Sequence, residues 1–128
     1  MRAGLATLLA LVLCSNQASA EVVSLVCSGS MHTFAPSPMD IKFEPQASGL
    51  DIEHREIITP VGNFTITQVN DTVITFGNPA VRGTLDRLTG AMLVLWRYEG
   101  DTTDMQSGVP HKLKQHAELK CSVGKRLF

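Results

Sequence analysis

Leu113-Lys114-Gln115-His116-Ala117-Glu118-Leu119-Lys120-Cys121-Ser122-Val123 decides the fold class. Leu113, Gln115, Ala117, Leu119, Cys121 and Val123 fall on one face of an extended chain. Lys112, Lys114, His116, Glu118, Lys120 and Ser122 fall on the other. A period of two with one apolar and one charged face is a strand that buries one side and wets the other. Cys121 is on the inward face.

The same period recurs towards the N-terminus. Val23, Leu25 and Cys27 alternate with Val22, Ser24 and Val26, which again puts a cysteine among inward apolar residues. Ile41 and Phe43 flank Lys42, and Pro45 to Gly49 reads as a turn. Leu50 to Ile58 reads as one strand, broken by Pro60-Val61-Gly62. Phe64 and Ile66 alternate with Thr65 and Thr67, and Asn70-Asp71 then reverses the chain into Val73–Phe76. Val81 to Asp86 and Ala91 to Tyr98 supply two more strands. Ser28 to Asp40, with two prolines, is expected to be an irregular loop, and Gly100 to Pro110 a solvated one. No stretch has a convincing helical period. The expectation is an all-β domain: a small antiparallel meander of seven or eight strands, forming an up-and-down barrel or half-barrel in preference to a Greek-key sandwich.

The N-terminus carries an export address. Met1-Arg2 is a short positive region, Leu5 to Leu13 an apolar run, and Ala18-Ser19-Ala20 a small-residue cleavage site. The run is too short for a bilayer span, which needs roughly 20 apolar residues. Residues 1–20 are expected to be removed as a signal peptide, leaving residues 21–128 as a single periplasmic or secreted β domain. A lipid anchor on Cys14 is disfavoured because Leu13, not a small residue, precedes it. Once Cys14 leaves with the leader, Cys27 and Cys121 remain, and an even count in an exported chain favours a disulfide. It would close a loop of about 93 residues, for which chain entropy gives about 4 to 5 kcal/mol. It would also staple the first strand to the last, which is the main reason to expect closure of the sheet.

The whole chain of 128 residues has 11 Lys plus Arg against 12 Asp plus Glu, and loss of Arg2 makes the balance slightly more acidic. That balance excludes the surplus of basic residues that marks a nucleic-acid binder. Phe128 matches the terminal phenylalanine of many outer-membrane barrels. Alternating inward from it, however, come Arg126, Gly124, Ser122 and Lys120, where a lipid-facing strand needs apolar side chains. No span is expected after cleavage.

Candidate sites are few. His111 and His116 are five apart and fall on opposite faces of a strand, and neither H-x-H nor H-x-x-x-H occurs, so no metal site is expected. Glu99, Asp101 and Asp104 lack the spacing of a calcium loop. Asp51, Glu53 and His54 could serve acid–base chemistry only if they converged, and they read as a charged outer face. No nucleophile motif or glycine-rich phosphate loop is present, and no cofactor is expected. Met31, Phe34 and Met39 could form an apolar lid over an open barrel end, with Trp96 and Tyr98 as contact residues for a small apolar ligand. As core filling, the same residues need no ligand.

Gly83-Thr84-Leu85-Asp86-Arg87-Leu88-Thr89-Gly90 reads as a hairpin turn. Asp86 can accept from backbone N–H groups ahead of it, Arg87 can pair or reach a ligand, and Gly90 can supply the positive φ. The D-R-x-T-G hairpin at Asp86 to Gly90, with the ending Leu119-Lys120-Cys121-Ser122-Val123-Gly124-Lys125-Arg126-Leu127-Phe128, resembles a group of short exported proteins of alpha-proteobacteria. The resemblance implies a bacterial exported protein and brings no activity with it. It also implies that the sequons Asn63-Phe64-Thr65 and Asn70-Asp71-Thr72 stay bare. The expected function is non-catalytic: binding of a small apolar ligand or an envelope protein, or a structural role in the envelope. Inhibition of an exported hydrolase, such as a protease or lysozyme, is the alternative.

Overall fold

The computed structural model describes residues 22–34, 36–107 and 109–124. The expected leader at 1–20, with Cys14, and the last four residues lie outside the described residues. Eight strands follow one another: β1 (Val23–Thr33), β2 (Met39–Asp51), β3 (Glu56–Thr59), β4 (Gly62–Val69), β5 (Val73–Asn78), β6 (Val81–Asp86), β7 (Ala91–Arg97) and β8 (Leu113–Val123). Each pairs antiparallel with the next, and β8 returns to β1, so the meander is a closed barrel. One 3-10 turn, Met105–Ser107, lies between β7 and β8.

Alternation builds the interior. Leu25 and Cys27 of β1, Ile57 of β3, Ile66 of β4, Ile74 and Phe76 of β5, Met92 and Val94 of β7, and Ala117, Leu119 and Cys121 of β8 point inward and pack as one core. Lys42, Glu44, Glu118 and Lys120 are exposed on the outer wall. Apolar inside and charged outside is the reverse of a membrane barrel's lipid-facing band. Among the described residues no helix is long and apolar enough to cross a membrane.

Cys27 and Cys121 face each other in the β1–β8 ladder and form a disulfide. The staple therefore joins the strands whose pairing closes the barrel. This is the arrangement expected from two inward cysteines on the first and last strands.

Three expectations are corrected. Ser28 to Asp40 is not an irregular loop: β1 continues to Thr33, β2 begins at Met39, and the connection is only residues 34–38. Its polar and small residues are strand residues because β1 is hydrogen-bonded on both sides, to β2 and to β8, through Thr33. Pro45 to Gly49 is not a turn either. β2 runs through it, and three steps of β2 from Phe43 to Gln46 match two of β1 from Gly29 to Cys27, which is a β-bulge. A bulge tolerates the missing N–H of Pro45. Finally, Leu50 to Ile58 is two strands. Residues 52–55 turn, Arg55 takes φ 55°, and the register beyond the turn puts Ile57 inside and leaves Ile58 43% exposed.

Candidate functional site

The two ends of the barrel differ. At one end lie the start of β1, the β2–β3, β4–β5 and β6–β7 turns, and the end of β8. There an open hollow of about 480 Å³ enters the interior. Its floor is Leu25, Leu50, Ile74, Leu85 and Cys121, which belong to the buried core. Its rim carries Ile52, Leu88 and Val123, exposed by 38%, 78% and 71%. Exposed apolar side chains around a concave apolar surface are the kind of lining that small-molecule sites have.

The β6–β7 turn builds much of this mouth. The Asp86 carboxylate accepts from the N–H of Leu88 at 2.8 Å and of Thr89 at 3.0 Å. Those N–H groups, Thr89 first, hold Asp86 below its ordinary value, so it stays ionised and occupied by the turn. Gly90 has φ +80°, and a Cβ there would stand 2.0 Å from the carbonyl oxygen of Cys121. The turn thereby packs directly on the disulfide strand, and the Cys121 N–H donates to the Gly90 carbonyl at 2.8 Å. Arg87 ties it to the neighbouring turn: its N–H donates to Thr72 and its guanidinium to the Asn70 carbonyl at 2.7 Å. Asn70 in turn accepts from the N–H of Thr72 and Val73. With Asp86, Arg87 and Gly90 fixing the backbone, Leu88 is held out at the rim.

The opposite end is plugged, and a further expectation is corrected here: the Gly100 to Pro110 connection is not simply solvated, because its 3-10 turn buries Met105. Met105 is 2% exposed, its N–H donates to the Pro79 carbonyl, and the Gln106 side chain donates to the carbonyls of Asn78 and Val81. The Arg97 guanidinium donates to Pro79 and Thr103 carbonyls and ties the long β7–β8 connection to the β5–β6 turn. Within that connection the Asp101 carboxylate accepts from the hydroxyl and N–H of Thr103 and lies 3.2 Å from His111 Nδ1. The Thr103 hydroxyl and N–H, with His111 adding, lower Asp101 from 3.8 to about 2.

The residues picked from sequence as an apolar lid, Met31, Phe34 and Met39, and as ligand contacts, Trp96 and Tyr98, lie at this plugged end. Met31 and Trp96 are half-buried and pack on the core. Phe34, Met39 and Tyr98 are exposed, and the Lys112 ammonium sits 4.5 Å over the Tyr98 ring. The structure does not bring them to the apolar mouth. Leu88 and Ile52, which do reach it, carried one readable signal: each is a bulky apolar residue inside a polar turn.

His54 and Asp51 do meet, on the exposed β2–β3 turn. The His54 N–H donates to one carboxylate oxygen at 3.0 Å, and Nδ1 lies 2.8 Å from the other. The Asp51 hydrogen bond and the charges of Asp51 and Glu53 raise His54, while the His54 N–H leads the lowering of Asp51. The imidazole is 75% exposed, so the pair is a turn cap in water. Among the described residues no three His, Cys, Asp or Glu side chains converge to enclose a metal ion. Known protein families, curated proteins and solved structures yield no match to the chain.

Proposed function

We propose that the chain is an exported, non-catalytic binding domain that takes a small apolar ligand into the mouth of its barrel. The observation that carries this reading is the mouth itself: about 480 Å³ of hollow, floored by core leucines and isoleucine and rimmed by exposed Ile52, Leu88 and Val123. That volume lies within the range of small-molecule sites, roughly 300–1,000 Å³. An acyl chain or a small fused-ring molecule matches it in size and character. Export is supported by the leader-like N-terminal sequence and by a disulfide, which persists in oxidising compartments.

The test is titration of the purified protein with a fluorescent medium-chain acyl probe. Saturable one-site binding is expected. Leu88→Asp, a change at an exposed turn position, should weaken it about tenfold, the equivalent of about 1.4 kcal/mol of lost apolar contact. Binding that ignores Leu88→Asp, or no saturable binding across acyl and aromatic probes, would count against the reading and leave the structural role.

A further inference from the structure

We propose that His32 and His116 form a two-imidazole site for a late first-row divalent transition ion, Cu²⁺ foremost, on the outer wall of the barrel. The fold makes this juxtaposition across strands from opposite ends of the chain. His32 of β1 is the direct ladder partner of His116 of β8, and on its other side is the partner of Asp40 of β2. Asp40, His32 and His116 thus lie in one row across three strands, all on the outer face.

The spacing suits a shared ion. The two ring centroids are 5.9 Å apart. An ion bound to imidazole nitrogen at about 2.0–2.1 Å stands about 3.2 Å from each ring centre, so rings sharing one ion have centroids from roughly 4.5 Å apart, with the nitrogens cis, to roughly 6.4 Å apart, with them trans. The present separation falls between these limits.

The row also selects a nitrogen. Asp40 Oδ1 lies 2.6 Å from His32 Nδ1, so an ionised carboxylate accepts the Nδ1–H and leaves Nε2 as the nitrogen that would bind an ion. A carboxylate holding the far side of a ligating histidine is the usual second layer of a metal site, where it fixes the tautomer and strengthens the donor. Phe34 packs against both rings, at 4.6 Å from His32 and 5.3 Å from His116, and limits their rotation. His32 is 33% exposed at its side chain and His116 is half-buried, so an ion reaches them from solvent.

The donor set chooses the ion class. With no third His, Cys, Asp or Glu converging among the described residues, the site does not enclose a tetrahedral ion; water completes its coordination. Two imidazoles with waters suit tetragonal Cu²⁺, which also heads the affinity order for nitrogen donors, with Zn²⁺ and Ni²⁺ weaker. This site shares no residue with the apolar mouth and stands or falls separately.

The experiment is calorimetric titration of the untagged protein with Cu²⁺ and with Zn²⁺, together with electron paramagnetic resonance of the Cu²⁺ form. One Cu²⁺ per chain is expected, with nitrogen hyperfine structure and tighter binding than Zn²⁺. His32→Ala and His116→Ala should each weaken Cu²⁺ at least tenfold. Asp40→Asn, which removes the positioning carboxylate and keeps both imidazoles, should weaken it about tenfold. His54→Ala, at an exposed histidine elsewhere, should change nothing. Circular dichroism confirms that each variant is folded. Absence of a saturable event, survival of binding in the His32→Ala/His116→Ala double variant, or equal loss in His54→Ala would overturn the proposal.

Discussion

Phe76 shows what single residues decide in this barrel. It is fully buried, and its ladder partner on β6 is Gly83, where a Cβ would stand 2.0 Å from the Phe76 ring. The ring occupies the space a side chain would take, so Gly83→Ala should destabilise the protein by about 1–3 kcal/mol through overpacking, read from urea denaturation. An unchanged midpoint would mean that the ring moves aside without cost. Asp101 sets a second expectation, in pH. Its carboxyl is lowered from 3.8 to about 2 by Thr103 and then His111. The unfolded chain therefore takes up that proton first. The contribution is whole above the ordinary aspartate range and drains as pH falls through about 4 to 2. Asp101→Asn should flatten the loss of stability over that interval, with Asp86, Asp51 and Glu99, also lowered, contributing to the acid sensitivity that remains. An unaltered acid limb would remove Asp101 from the account. The role of Asp86 and Gly90 as turn formers was legible in the sequence because a short carboxylate and a glycine act through local geometry. The pairing of His32 with His116 was not, because spacing along the chain says nothing about partners from the first and last strands.

Elements were legible where their pattern was local. β8 runs over the same residues as the alternation that announced it, and β4 to β6 follow their turn signals closely. Prediction failed around β1 and β2, where Ser, Gly and Pro imitate a loop. There the backbone is held extended by two neighbouring ladders, and a bulge absorbs Pro45. The β2–β3 turn was missed for the complementary reason. Its residues alternate well enough for a strand, and the Asp51 cap, the left-handed Arg55 and the Arg55 N–H donated to the Ile52 carbonyl turn the chain. The 3-10 turn Met105–Ser107 carries the clearest prediction at this scale. Met105 is its only buried residue and seals one end of the barrel. Met105→Ala should cost about 2–5 kcal/mol, as large-to-small changes in cores do, and should open that end to apolar dyes. A cost well below that range, with no gain in dye binding, would show that the β7–β8 connection seals the end without it.

At the scale of the whole molecule, closure is the dominant fact, and the disulfide is placed to hold it. Reducing Cys27–Cys121, or the Cys27→Ser/Cys121→Ser variant, should lower stability by about 2–5 kcal/mol in denaturant titrations with and without reductant. A smaller loss would mean that the β1–β8 ladder, paired from Leu25 to Thr33, closes the barrel unaided. Closure leaves few free strand edges; β2 pairs with β3 only over Gly49–Asp51, and its remaining length carries Lys42, Glu44 and Pro45, which resist further pairing. By itself the sequence determined the all-β class, the inward cysteines and the turn at Asp86–Gly90, because period, redox pairing and turn chemistry are properties of residues near one another in the chain. Only the tertiary structure decided which end of the barrel is plugged and which is an apolar mouth, and which histidines face each other. Those depend on which strand ends meet around a closed sheet, and closure juxtaposes residues that no local pattern relates.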